Sequence, residues 1–172
     1  MKTLLTVSMA VFMFLYSFAA KAQITEVQIG VDGLTCSQCS RSVEMRIRKL
    51  SFVKDVKMNL EHTEGKVYFK SGAKVEVDKI AQAVVDAGFS VRDLKAAMLF
   101  KNVAVSSNYC FAYDNNNYQF IQTPGQTLNG AVTVTFVGKG FMEKKELKKW
   151  QPYMKSTCAA KGKNYFVTIE KS

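Results

Sequence analysis

Two cysteines, Cys36 and Cys39, sit where one hydrophobic periodicity gives way to another. That junction constrains the fold more than any other feature of the chain. Upstream, Ile24-Thr25-Glu26-Val27-Gln28-Ile29-Gly30-Val31 has the Val/Ile-rich, period-two pattern of a strand. Downstream, Val43, Ile47 and Leu50 recur at helical spacing. The segment Gly33-Leu34-Thr35-Cys36-Ser37-Gln38-Cys39 therefore links a strand to a helix, with Cys39 at or near the helix start and Cys36 on the loop leading into it. Thiolates placed there face unpaired backbone N–H groups and the positive end of the helix dipole. That environment lowers a cysteine pKa from about 8.5 toward or below neutrality. Two soft, easily deprotonated sulfurs on one exposed loop suit a soft ion such as Cu(I).

The pattern continues as βαββαβ. A first strand over Ile24–Val31 and a helix from near Cys39 to Leu50 precede a strand over Val53–Leu60. A turn at Glu61–Gly65 leads to a third strand, Lys66–Lys70. A second helix over Val77–Ala87 carries Ile80, Val84 and Ala87 at helical spacing, with Gly88 as its stop. A fourth strand follows at Phe89–Leu94. Two helices on one face of a four-stranded antiparallel sheet can bury a core.

Residues 24–95 resemble a heavy-metal-associated domain, the ferredoxin-like module of copper chaperones, metal-pumping ATPase N-termini and periplasmic mercury-binding proteins. The family pattern is Gly-Met-Thr-Cys-x-x-Cys, and this chain has Leu34 in place of the methionine. In the family that side chain packs inward, so the change leaves the metal loop intact. Ser51-Phe52-Val53-Lys54-Asp55-Val56 stands where the family has Gly-Val-x-x-Val. Ala87-Gly88-Phe89 stands at the family's Ala-Gly-Tyr/Phe loop beside the metal. The resemblance implies a metal site at Cys36 and Cys39, with Leu34, Thr35 and Phe89 supporting the loop. Arg41, Lys70 and Lys95 are candidates for tuning its charge.

A two-sulfur site suits Cu(I), whose filled d shell accepts linear or trigonal sulfur coordination. Hg(II) fits the same geometry. Zn(II), also a possible cargo, normally takes four protein ligands, or three plus water. The only histidine, His62, lies on a turn distant in sequence. Under-coordination favours handing the ion to a partner thiolate, so the implied partner is a metal-transporting ATPase or another copper protein. Two alternatives use the same residues. One is a disulfide that staples the loop. The other is a thiol–disulfide oxidoreductase, with Cys36 attacking and Cys39 resolving. No aromatic precedes Cys36 and no proline precedes Pro124, which sets the chain apart from thioredoxin-like enzymes. A single histidine argues against a histidine-based general-base enzyme, and the chain is expected not to be an enzyme.

The second half resembles no nameable family. Strand-like runs occur at Met98–Val105, Tyr109–Tyr113, Tyr118–Gln122 and Ala131–Val137. Asp114-Asn115-Asn116-Asn117 and Thr123-Pro124-Gly125 are turn signals between them. A helix near Glu143–Trp150 ends around Pro152, and a last strand is expected at Tyr165–Glu170. The expected architecture is α+β: a heavy-metal-associated domain over 23–96 and a small β-rich, OB-like barrel over 97–172. Cys110 and Cys158 are expected to pair as a structural disulfide, a second metal site being the alternative.

Residues 1–22 read as an export signal, with Lys2, an apolar run from Leu4 to Phe18 and a small-x-small site at Ala20-Lys21-Ala22. The run is shorter than the ~20 residues that span a bilayer. Cleavage would leave a chain starting at Gln23, periplasmic or secreted, without stable membrane insertion. An uncleaved anchor is the alternative. The chain carries formal net charge +10. From Met98 onward there are 10 basic and 4 acidic residues, a net of 10 − 4 = +6. Many of these lysines cluster between Lys139 and Lys163. They read as a solvated helix face, with attraction to acidic lipid or an acidic partner as the functional alternative. No arginine follows Arg92, and nucleic acid is not an expected partner.

Overall fold

The computed structural model describes residues 23–158 and 162–169. The expected export signal over 1–22 lies outside the described residues. Among the described residues, eight strands form one sheet in the order β2-β3-β1-β4-β7-β8-β6-β5. The strands are β1 Gln23–Asp32, β2 Val53–Asn59, β3 Glu64–Phe69, β4 Ser90–Val105, β5 Cys110–Tyr113, β6 Asn116–Phe120, β7 Gln126–Val137 and β8 Asn164–Thr168. The helices are α1 Ser37–Arg48, α2 Val77–Asp86 and the short α3 Lys144–Trp150, which passes into a 3-10 turn at Gln151–Tyr153.

The first half has the expected βαββαβ order, with β1 between β3 and β4, both antiparallel to it. Its core follows from the alternation. Val27, Ile29 and Val31 of β1, Val67 of β3, and Leu94, Ala96 and Met98 of β4 are fully or nearly fully buried. Val43 and Ile47 of α1 and Ile80 and Val84 of α2 cover them.

The second half departs from expectation in two respects. The boundary drawn at 96/97 falls inside β4, which runs unbroken for 16 residues. The reason is legible in the residues. After an irregularity opposite Gly30 and Val31, Leu94, Ala96, Met98 and Phe100 keep alternate positions buried, and no glycine or proline interrupts them. Nor do the later strands form an OB-like barrel. They extend the same open sheet: β7 pairs antiparallel with β4 from Lys95↔Thr135 to Val105↔Gln126. β8 then pairs with β7, and β6 lies parallel to β8. Buried pairing on both edges of β4 welds the halves.

The apolar face continues into an aromatic cluster. Phe111 stacks on Tyr118 at 5.1 Å between ring centres, and Tyr118 meets Tyr165 at 5.2 Å. Phe100, Phe120, Phe136 and Phe141 complete the cluster. Such rings gain about 0.5–1.5 kcal/mol per pair beyond the area they bury. Two fastenings hold the added strands. Cys110 and Cys158 form a disulfide with a Cα–Cα distance of 5.7 Å. Gln119, fully buried, donates to Asn108 Oδ1 (3.2 Å) and to the Lys155 carbonyl (2.9 Å), and accepts from the Thr157 N–H (2.9 Å).

Candidate metal site

Strand β1 delivers the loop. Gly33 adopts φ +84°, a left-handed conformation that favours glycine. The Thr35 N–H closes the turn on the Gly33 carbonyl at 2.9 Å. Leu34 is buried, 4% exposed, and anchors the loop in the core, whereas Thr35 is exposed. Phe89 is half-buried and packs against the core at the exit of α2; a Cβ at Gly33 would lie 3.7 Å from its ring.

Cys36 is the N-cap of α1 in extended conformation, and its Sγ accepts the Cys39 N–H at 3.1 Å. It satisfies one of the helix's orphan donors, a task usually given to Ser, Thr, Asp or Asn. Cys39 lies one turn in. Cys36 is exposed and Cys39 half-buried. The first turn of α1 has no acidic residue, so nothing there offsets the positive end of the dipole, while Arg46 and Arg48 sit at the opposite end. The two sulfurs are joined as a disulfide, with Cα atoms 5.2 Å apart. This is the pairing expected of the stapled-loop alternative, and it brings both candidate ligands to one point. Among the described residues no cluster of three or more His, Cys, Asp or Glu side chains could hold a metal.

The neighbourhood holds residues that sequence reasoning did not place. The turn before β3 lies beside the exit of β1, because the Val31 N–H donates to the Thr63 carbonyl at 2.9 Å. That turn carries the exposed His62. Arg92 braces it, donating through Nη1 to Thr63 Oγ1 (2.5 Å) and through Nη2 to the His62 carbonyl (3.1 Å). The Arg92 carbonyl in turn accepts the Glu143 N–H at 3.3 Å. A route of hydrogen bonds thus runs from the segment before α3 to the strand that feeds the cysteine loop. No spacing in the sequence announces it. Lys70 lies away from the site, its Nζ donating to the Ser51 carbonyl at 2.7 Å. Lys95 is placed mid-strand, opposite Gln28. Arg41 is exposed in the first turns of α1.

Residues 28–90 match the model of the heavy-metal-associated domain. The mercuric transport protein periplasmic component of Serratia marcescens is 38% identical over 63 residues, 37% of this chain and 68% of that protein. The chain belongs to the heavy-metal-associated domain family. Copper-transporting ATPase 1 of Rhizobium meliloti is 41% identical over 70 residues, 41% of this chain but only 8% of the ATPase. Copper chaperone CopZ of Staphylococcus epidermidis is 28% identical over 69 residues, 40% of this chain and the whole of the chaperone. The matched segment stops at the first residue of β4, the strand that completes the βαββαβ order beside β1, and the strands β5 to β8 that extend the sheet lie beyond it.

Proposed function

We propose that this chain is an exported, non-enzymatic carrier that binds one Cu(I) between the sulfurs of Cys36 and Cys39 and passes it to a metal-transporting ATPase or another copper protein. The observation that carries this reading is the pair itself: two sulfurs at one point, at an uncompensated helix N-terminus, with Cys36 exposed. Loading requires the reduced pair. Two electrons and two protons, supplied by a dithiol, open the disulfide to two thiols. Coordination then releases the protons, a release that the helix dipole favours. Two protein ligands leave room for an incoming thiolate, which is how the ion would pass to its acceptor. Hg(II) is the second cargo, supported by the periplasmic mercuric relative, and Zn(II) fits a two-sulfur set least well.

The test is a competition titration of the reduced protein with Cu(I) and Hg(II), beside a Cys36→Ser/Cys39→Ser variant. One-to-one binding that disappears in the variant is expected. Binding that survives the substitutions defeats the assignment. The joined cysteines favour one rival, thiol–disulfide exchange at an exposed Cys36. Catalytic turnover of a mixed-disulfide substrate by the metal-free protein would establish that rival instead.

A further inference from the structure

We infer that the outward face of α3 is a docking surface for an anionic lipid bilayer. At 3.6 residues per turn, Lys144, Lys145, Lys148 and Lys149 fall on one side of the helix, and all four are exposed. Met142, Glu146 and Trp150 line the cleft between this segment and the sheet, opposite Thr135 and Thr168. The helix is therefore oriented, with Trp150 toward the protein, Glu146 half-exposed at the rim of the cleft, and the lysines outward. Among the described residues no ion pair engages Lys144, Lys145 or Lys148, and Lys149 is paired only within the helix, with Glu146. Lys139 and Lys155 flank the helix and are exposed, and Tyr153, 47% exposed, adds an aromatic ring at its end. From Lys139 to Cys158 there are 6 lysines and 2 glutamates, a net of 6 − 2 = +4.

The kind of cation decides between partners. Specific protein interfaces favour arginine, tyrosine and tryptophan and are depleted in lysine. Arginine's rigid fork is also the group that recognises carboxylates in pairs. This segment has six lysines and no arginine. Lysine is a hydrated point charge on a flexible stem, suited to diffuse attraction by a charged plane. Polybasic segments bind anionic lipid in that way, with amphipathic aromatic rings seated at the headgroups. The short helix lies on the surface without a long apolar face, so the association is peripheral. Among the described residues no helix is long and apolar enough to cross a membrane. The inference is independent of the metal reading.

The test uses the chain from Gln23 onward, because the apolar run before it would enter a bilayer by itself. Sedimentation is measured with neutral phosphatidylcholine vesicles and with vesicles holding about 30% phosphatidylglycerol, at about 50 and 500 mM salt. Binding is expected only to the anionic vesicles, and only at low salt. At roughly fivefold per lysine, Lys144→Glu/Lys145→Glu/Lys148→Glu should weaken it by about 100-fold or more. Lys54→Glu/Lys74→Glu/Lys101→Glu changes net charge equally at exposed sites elsewhere and should weaken it less than about tenfold. Matching urea midpoints for the two variants exclude unfolding as the cause. Equal loss in both variants overturns the inference, since net charge alone then accounts for binding. Binding to polyglutamate without binding to anionic vesicles also overturns it and points to an acidic protein.

Discussion

Asp78 tests whether the added strands and the metal domain are one folding unit. It lies in the first turn of α2, and its Oδ2 accepts Tyr165 Oη at 2.5 Å and Lys163 Nζ at 2.6 Å, both from the far end of the chain. Three contributions are lost in Asp78→Ala. The Tyr165 side chain belongs to a residue only 7% exposed, so its hydroxyl would be left unsatisfied at a cost of about 1–3 kcal/mol. The ion pair is 66% and 38% exposed at its two side chains and adds about 0–1 kcal/mol. An acidic residue near a helix N-terminus contributes about 0.3–1 kcal/mol more. The sum is a destabilisation of about 1–5 kcal/mol, and the tyrosine hydroxyl decides it.

A double-mutant cycle isolates that hydroxyl. In Asp78→Ala/Tyr165→Phe the stranded donor is gone, so the pair should cost about 1–2 kcal/mol less than the sum of the single changes. Urea unfolding at pH 7, with both disulfides kept oxidised, measures it. Additivity within about 0.5 kcal/mol would refute the reasoning, because Tyr165 would then find no partner in Asp78.

Burial raises the pKa of Tyr118, and burial followed by the hydrogen bond to Asp78 raises that of Tyr165. Both stay protonated in the fold while the unfolded chain ionises near 10. Stability from these groups is complete below pH 10 and falls above it, by about 1.4 kcal/mol per pH unit for each tyrosine. Tyr165→Phe should remove about half of that alkaline slope in urea titrations. Replacing Cys110 and Cys158 by serine opens a link across 48 residues and should cost about 4 kcal/mol by the loop-entropy relation, read as a fall in urea midpoint. Because one core cluster spans both halves, near-UV and far-UV signals should unfold together in the oxidised protein; two separated transitions would restore a two-domain architecture.

The metal domain was legible because each of its elements is short, periodic and punctuated. Gly33 and Gly88 mark the loops at the cysteine end, and the helix-period residues Val43 and Ile47 reach the same core as the strand-period Val27 and Ile29. The expected boundary near residue 96 had no such punctuation, since Ala96, Met98 and Phe100 simply continue the alternation of β4. A partner strand to the second edge of β4 is set by β7, some thirty residues onward, and pairing at that distance leaves no local signature. The parallel partnership of β6 and β8 is hidden for the same reason. At the site, Cys36, Cys39, Leu34 and Phe89 could be named from a motif. Arg92 could not, because its role depends on a turn at Thr63 that the fold alone brings beside Val31.

The added strands also deal with an exposed edge. In a βαββαβ module alone, β4 would present a row of unpaired backbone groups, a template for pairing with another chain. Here β7 occupies that edge over Lys95–Val105, and the sheet's free edges become β2 and β5. Both are poor templates: β2 carries Lys54 and Lys57 with Asp55 between them, and β5 has four residues and is tied through Cys110 to Cys158. The second anchor, Asp78, is at the start of α2, whereas Phe89 and the cysteine loop adjoin its other end. The extension therefore grips the metal domain along one edge and at the end remote from the sulfurs. Cys36 remains exposed in the complete sheet, so these strands leave the proposed metal site open to solvent.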